Sequence, residues 1–241
     1  MNNVRTVSDT KRSFYTYHTR PINSIYRRVV EELIVEMHLL SVNVDFCYDP
    51  IYALGVTTSF DRFMQGYQPD SDRIGIFNAL CQSIEQDPQQ YRRDAEQLQS
   101  AAAKLSTSDL VAQIKACASG TNEFQKHFQA VAENPQFKYS RLFAIGLYTL
   151  LEATDAELVK DEKQRDPLLA EICEALKLTG DKLQKDLELY RSNLDKVTQA
   201  QIVMQDIIAA DRKKREQRAE SKDAVAAPQN GSPPDNTEEA E

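Results

Sequence analysis

The chain has 241 residues, a formal net charge of -8 and 41% hydrophobic residues. That acidic balance argues against nucleic acid as the main partner. No apolar run reaches the ~18 residues that a spanning helix needs, and four cysteines without CxxC spacing argue against a zinc site or a disulfide framework. There is no Trp and there are only 7 Gly, alongside abundant Ala, Leu, Gln, Glu and Lys. Such a mix forms helices in preference to sheets. The expected fold is all-α, in three parts. A helical bundle with a basic N-terminal arm covers 1–178, a long C-terminal helix with heptad character covers 179–222, and a disordered acidic tail covers 223–241.

Met1 to Arg12 is polar and reads as a loose arm. Residues 1–28 hold Arg5, Lys11, Arg12, Arg20, Arg27 and Arg28 against a single acid, Asp9. This basic end is a candidate contact for an anionic membrane surface or an acidic partner. Solvated helix-face charge is the plainer reading of the same residues. Pro21 suits a helix start. Ile25, Val29, Leu33, Met37 and Leu40 then recur at steps of four, four, four and three, with Tyr26, Val30 and Ile34 widening the stripe. That spacing predicts a strong, broadly buried helix.

The stretch from Asp45 to Phe77 is the expected hub. Asp49-Pro50 marks a turn and Gly55 interrupts the apolar run after it. Ser59 precedes Phe60, Phe63 and Met64 on one helical face, with Gly66 placed to end a short helix. The next helix starts at Asp70 or Ser71 and is expected to bury Ile74, Phe77, Ala79, Leu80 and Ile84. Aromatic side chains packed at turns fit a junction where helices meet. If exposed, Tyr48, Tyr52, Phe60, Phe63 and Tyr67 form a candidate protein-contact surface.

The signals continue down the chain. Asp87-Pro88 opens a polar helix to about Lys104, and Ser106 to Asp109 cap another, which Gly120 ends. Phe124, Phe128 and Val131 mark a helix broken by Asn134-Pro135. Phe137 to Thr154 is apolar nearly all round and reads as the central helix, with Gly146 permitting close approach by a neighbour. Asp166-Pro167 is expected to start a short helix carrying Leu169 and Ile172. Beyond Thr179-Gly180, Leu183, Leu187, Tyr190, Leu194, Val197, Gln201, Met204 and Ile208 alternate steps of four and three, a candidate coiled-coil seam. The seam can be covered by the chain's own helices, a second copy or another protein. The tail from 223 holds three prolines and five acids with no Lys or Arg.

YDPIYALGVTTSFDRFMQGY, over residues 48–67, follows SDTKRSFYTYHTRPINSIYRRVVEELIVEMHLL, over residues 8–40. Together they closely resemble the thylakoid formation protein family, also described as a photosystem II biogenesis and repair factor of cyanobacteria and plastids. The resemblance is specific from about Val7 to Tyr91, looser to about Ile208, and absent from the tail. It implies a peripheral thylakoid-associated factor, with the membrane-bound FtsH protease as partner and with photosystem II assembly components nearby. Plastid members carry transit peptides. With no signal or transit segment visible, the expected setting is the cytoplasmic side of a cyanobacterial thylakoid.

The residues themselves offer little catalytic chemistry. His18, His38 and His127 fall in no metal-binding spacing, and the sequence has no phosphate-binding loop, GxGxxG or GxSxG. His18 could join Tyr15, Tyr17 and Arg20 in a polar network with Asp49 or Asp61. No cofactor is implied. The expectation is a non-enzymatic binding or scaffold protein; the rival is a lipid- or pigment-binding carrier with a deep apolar cavity.

Overall fold

The computed structural model of the protein describes residues 5–225, with side chains through residue 217 apart from those of 205, 208, 211 and 216. Among the described residues it has ten α-helices, two short 3-10 turns and no strand. The helices are α1 (Val7–Tyr17), α2 (Ser24–Ser41), α3 (Pro50–Phe63), α4 (Asp70–Ser83) and α5 (Pro88–Ala102), then α6 (Thr107–Lys115), α7 (Glu123–Ala132), α8 (Arg141–Thr154), α9 (Glu162–Ala175) and α10 (Gly180–Val225).

Short polar side chains start most of these helices by accepting a backbone N–H. Thr6, Asn23, Asp49, Asp87, Ser106, Asn122, Ser140 and Asp161 all do so. Pro50 and Pro88 occupy first-turn positions, where the missing N–H costs nothing. Gly120 ends the turn after α6 in the left-handed region, at φ 33°.

At the centre, α3 packs on α8 and on α5, and α8 also meets α5. Every residue from Leu142 to Leu151 in α8 is buried, as its all-round apolar pattern requires. Around this pair, α1 lies against α2 and α4, and α6 lies against α9.

Several helices depart from the sequence reading. The N-terminal arm is helical over α1, because Thr6 and Asp9 form a reciprocal capping box. The second helix starts at Ser24, where Asn23 supplies the cap that Pro21 cannot. Gly55 does not interrupt α3, since Asp49 and Pro50 start the helix and Gly55 lies at its contact with α8. Ile74, expected in the core, is 61% exposed. Pro167 lies inside α9, which Asp161 starts earlier; the ladder there loses one hydrogen bond, to the Lys163 carbonyl.

The chain divides into two compact units, Met1–Val197 and Thr198–Glu241. Leu183, Leu187 and Tyr190 of α10 are buried in the core of the first unit. In the second unit, α10 continues as helix to Val225, past the expected tail start at Asp223. The remainder of the expected tail, from 226, lies outside the described residues.

Candidate functional site

The five hub aromatics do not form an exposed contact surface. Tyr52, Phe60 and Tyr67 are buried, and Tyr48 and Phe63 are half-buried and packed against the core. The reason is edge-to-face packing, which seals the rings against each other. Tyr52 meets Phe46 at 5.0 Å and Tyr91 at 6.0 Å, Phe60 meets Phe77 at 5.1 Å, and Phe63 meets Tyr190 at 5.6 Å. The Tyr48 hydroxyl donates to Asp94 at 2.7 Å, tying the loop before α3 to α5. This region is the structural junction of the bundle.

The six basic residues are also not a free cationic patch. Arg5 pairs with Glu85, Lys11 with Glu31, Arg12 with Asp9, Arg20 with Asp72 and Arg28 with Glu32. Arg27 has no ion-pair partner among the described residues. Linear counting found one acid near them because four of the five partner carboxylates come from outside residues 1–28.

What the structure does assemble there is an open groove of about 780 Å³ along the outer face of α2. Lys11, Arg27, Arg28 and Arg141 line it with Glu31, Glu32 and Glu36, while Val35 and Leu39 form its apolar part and Asn193 of α10 closes one side. Leu39 is 57% exposed. Burial raises the Glu36 carboxyl above its ordinary range, and the Arg141 guanidinium at 2.7 Å opposes that shift. A second, polar groove lies between α3 and α5, lined by Thr57, Asp61, Arg92, Glu96 and Gln99 among others.

The sequence reading missed two buried polar contacts at α1. His18 approaches Asp72 in α4, with Nε2 3.9 Å from a carboxylate oxygen, and not Asp49 or Asp61. Asp72 also accepts from Tyr67 at 3.0 Å and from Arg20 at 3.4 Å. Burial and this bond to Asp72 push the Tyr67 hydroxyl up to about 12. The second contact joins Thr10 and His38, 2.8 Å apart and both buried. A polar residue at step four from Phe14, inside an otherwise amphipathic helix, was the available signal for Thr10.

The seam residues separate into two groups. Leu183, Leu187 and Tyr190 are buried in the chain's own core, with Leu194 and Val197 packed against it. Gln201 and Met204 are half-exposed, and the Ile208 side chain lies outside the described set. Ile202, Val203 and Ile207, on other faces of the helix, are exposed.

Burial pushes the thiols of Cys81 and Cys173 up, to about 12 and about 11, and raises that of Cys117. These are packing thiols and not nucleophiles. Cys47 is exposed. Among the described residues no group of three or more His, Cys, Asp or Glu side chains is placed to hold a metal ion, and no helix is long and apolar enough to cross a membrane.

Residues 6–219 match the family model described as thylakoid formation protein. The chain belongs to the thylakoid formation protein family. It is 63% identical over 230 residues to Protein Thf1 of Nostoc punctiforme, covering 95% of this chain and 98% of that protein. Protein Thf1 of Acaryochloris marina is 56% identical over 217 residues, with 90% and 88% covered. The solved structure of Psb29 superposes with a TM-score of 0.78 at 45% identity, covering 88% of this chain and 99% of that one. The family match includes α1 and most of α10 as well as the aromatic junction.

Proposed function

We propose that the protein is a non-enzymatic accessory factor at the thylakoid surface that binds the FtsH protease and supports its accumulation during photosystem II biogenesis and repair. Membership of the thylakoid formation protein family supports the setting. The observation that carries a binding role is the distribution of apolar side chains along α10. Its first turns are core, whereas Ile202, Val203 and Ile207 stay in water. A helix that keeps three large aliphatic side chains exposed within six residues carries an unspent recognition surface. Peripheral attachment to the cytoplasmic face of the membrane, through the protease or through lipid, belongs to the same proposal.

The test is an affinity pull-down from detergent-solubilised thylakoids with the full chain and with a version ending at Val197. Ending the chain earlier, at Thr179, would strip Leu183, Leu187 and Tyr190 from the core and confound the result. Capture of FtsH by the full chain alone places the contact on the distal part of α10. Capture by both places it on the bundle, with the α2 groove the first surface to mutate. Capture by neither overturns direct protease binding. Copurified lipid or pigment would then favour a carrier role.

A further inference from the structure

We propose that α1 is a detachable strap, whose docking on α2 and α4 is released by protonation of His38 while the rest of the bundle stays folded. Of its eleven residues only Thr10 and Phe14 are buried. Phe14 is the one large apolar anchor. The other attachments are polar and titratable. Lys11 and the Tyr15 hydroxyl both reach Glu31, at 3.1 and 3.2 Å. Arg5, ahead of the helix, reaches Glu85 at 3.1 Å, and His18, at its C-terminal cap, faces Asp72. A helix held this way opens at lower cost than α8, where ten consecutive residues are buried.

His38 is a buried titratable group in the contact between α1 and α2. Its ring is enclosed where α1 crosses α2, with Nδ1 2.8 Å from Thr10 Oγ1. A neutral imidazole fits this site, since it needs one hydrogen-bond partner there and no counter-ion. A charged ring would be desolvated beside the Arg5 guanidinium. The nearby carboxylate is Asp9, already engaged by the Thr6 backbone and hydroxyl. Arg5 is in turn held by Glu85 beyond the end of α4. Burial, then Arg5, lower the proton affinity of the ring, and Asp9 opposes them.

The sign follows from linkage. The docked state has the lowered pKa; an undocked α1 leaves His38 in water near its ordinary value of about 6.5. Docking is therefore complete above that value and weakens as pH falls below it. The docking equilibrium changes by up to about tenfold per pH unit through the window between the two values.

The experiment is amide hydrogen exchange on the full chain between pH 7.5 and 5, corrected for intrinsic exchange, comparing residues 7–17 with 141–154. The expected result is a selective loss of protection in 7–17 as pH falls, approaching tenfold per unit, with 141–154 unchanged. In His38→Asn, which places an uncharged amide near the Nδ1 position, the pH response should disappear, and in His18→Gln it should persist. Loss of protection in step with 141–154, no loss in 7–17, or an unaltered response in His38→Asn overturns the strap. If the Asn variant does not fold, NMR titration of the wild-type imidazoles decides. A His38 midpoint below about 6.5 with concerted shifts of the α1 amides supports the proposal. A midpoint at or above that value, or titration without α1 shifts, overturns it.

Discussion

Gly55 of α3 and Gly146 of α8 form a two-glycine contact at the centre of the bundle. A Cβ on Gly55 would run into the carbonyl of Leu142 and come within 3.0 Å of the Gly146 nitrogen, and one on Gly146 would run into the carbonyl of Ile51. Two helix backbones touch here with no side chain between them, and backbone cannot rotate aside. Gly55→Ala and Gly146→Ala are each expected to cost about 3 kcal/mol or more, at or beyond the upper end of ordinary overpacking. Gly180→Ala, where nothing lies within 4 Å of the new carbon, is expected to stay within about 0.5 kcal/mol of wild type. Urea midpoints of the three variants check this ordering.

Asp72 collects contacts from His18, Arg20 and Tyr67. Its side chain is only 9% exposed, so removing it strands the buried Tyr67 hydroxyl, which donates to it. Asp72→Ala is expected to lower stability by about 1–3 kcal/mol. The bidentate Arg92–Asp61 pair lies at the surface, and Asp61→Ala is expected to cost less than about 1 kcal/mol despite its two hydrogen bonds. Equal losses at the two sites would show that burial is not the deciding variable.

His127 gives a separate pH dependence. Burial lowers its pKa, with Glu123 and then Asp94 opposing. A histidine held below its ordinary value contributes stability above about 6.5 that is lost as pH falls through the depressed value. The urea midpoint should therefore be lower at pH 5.5 than at pH 7.5. His127→Gln should shrink that difference. An unchanged pH profile in the variant would remove His127 from the account.

The two parts of α10 should respond differently to mutation. Leu187, 3% exposed, is expected to cost about 2–5 kcal/mol on truncation to Ala. Ile207→Ser should leave the unfolding midpoint of the bundle unchanged and instead weaken capture of the partner. Gln201→Leu tests the seam beyond Val197. Greater helix stability or a change in oligomeric state is expected if the heptad register operates there; no change in either would rule out a seam at that position.

Local sequence determined the all-helical class and most helix boundaries, because short-range chemistry sets them. Ser106, Asp87-Pro88 and Gly120 act through hydrogen bonds and dihedral preferences within one turn. The unbroken apolar surface of Leu142 to Leu151 likewise required a central position for α8. Family membership was legible in the stretches 8–40 and 48–67.

Only the tertiary structure decided which surfaces remain in water. Tyr52 is sealed in part by the Tyr91 ring of α5, Phe60 by Phe77 of α4 and Tyr67 by Tyr26 of α2. Four of the cations at the N-terminal end are matched by carboxylates beyond residue 28, and Gly55 proved to be a contact with α8 and not a break. Whether a side chain is exposed depends on which distant element covers it. That is a property of pairs of segments, and no single stretch of this chain encodes it alone.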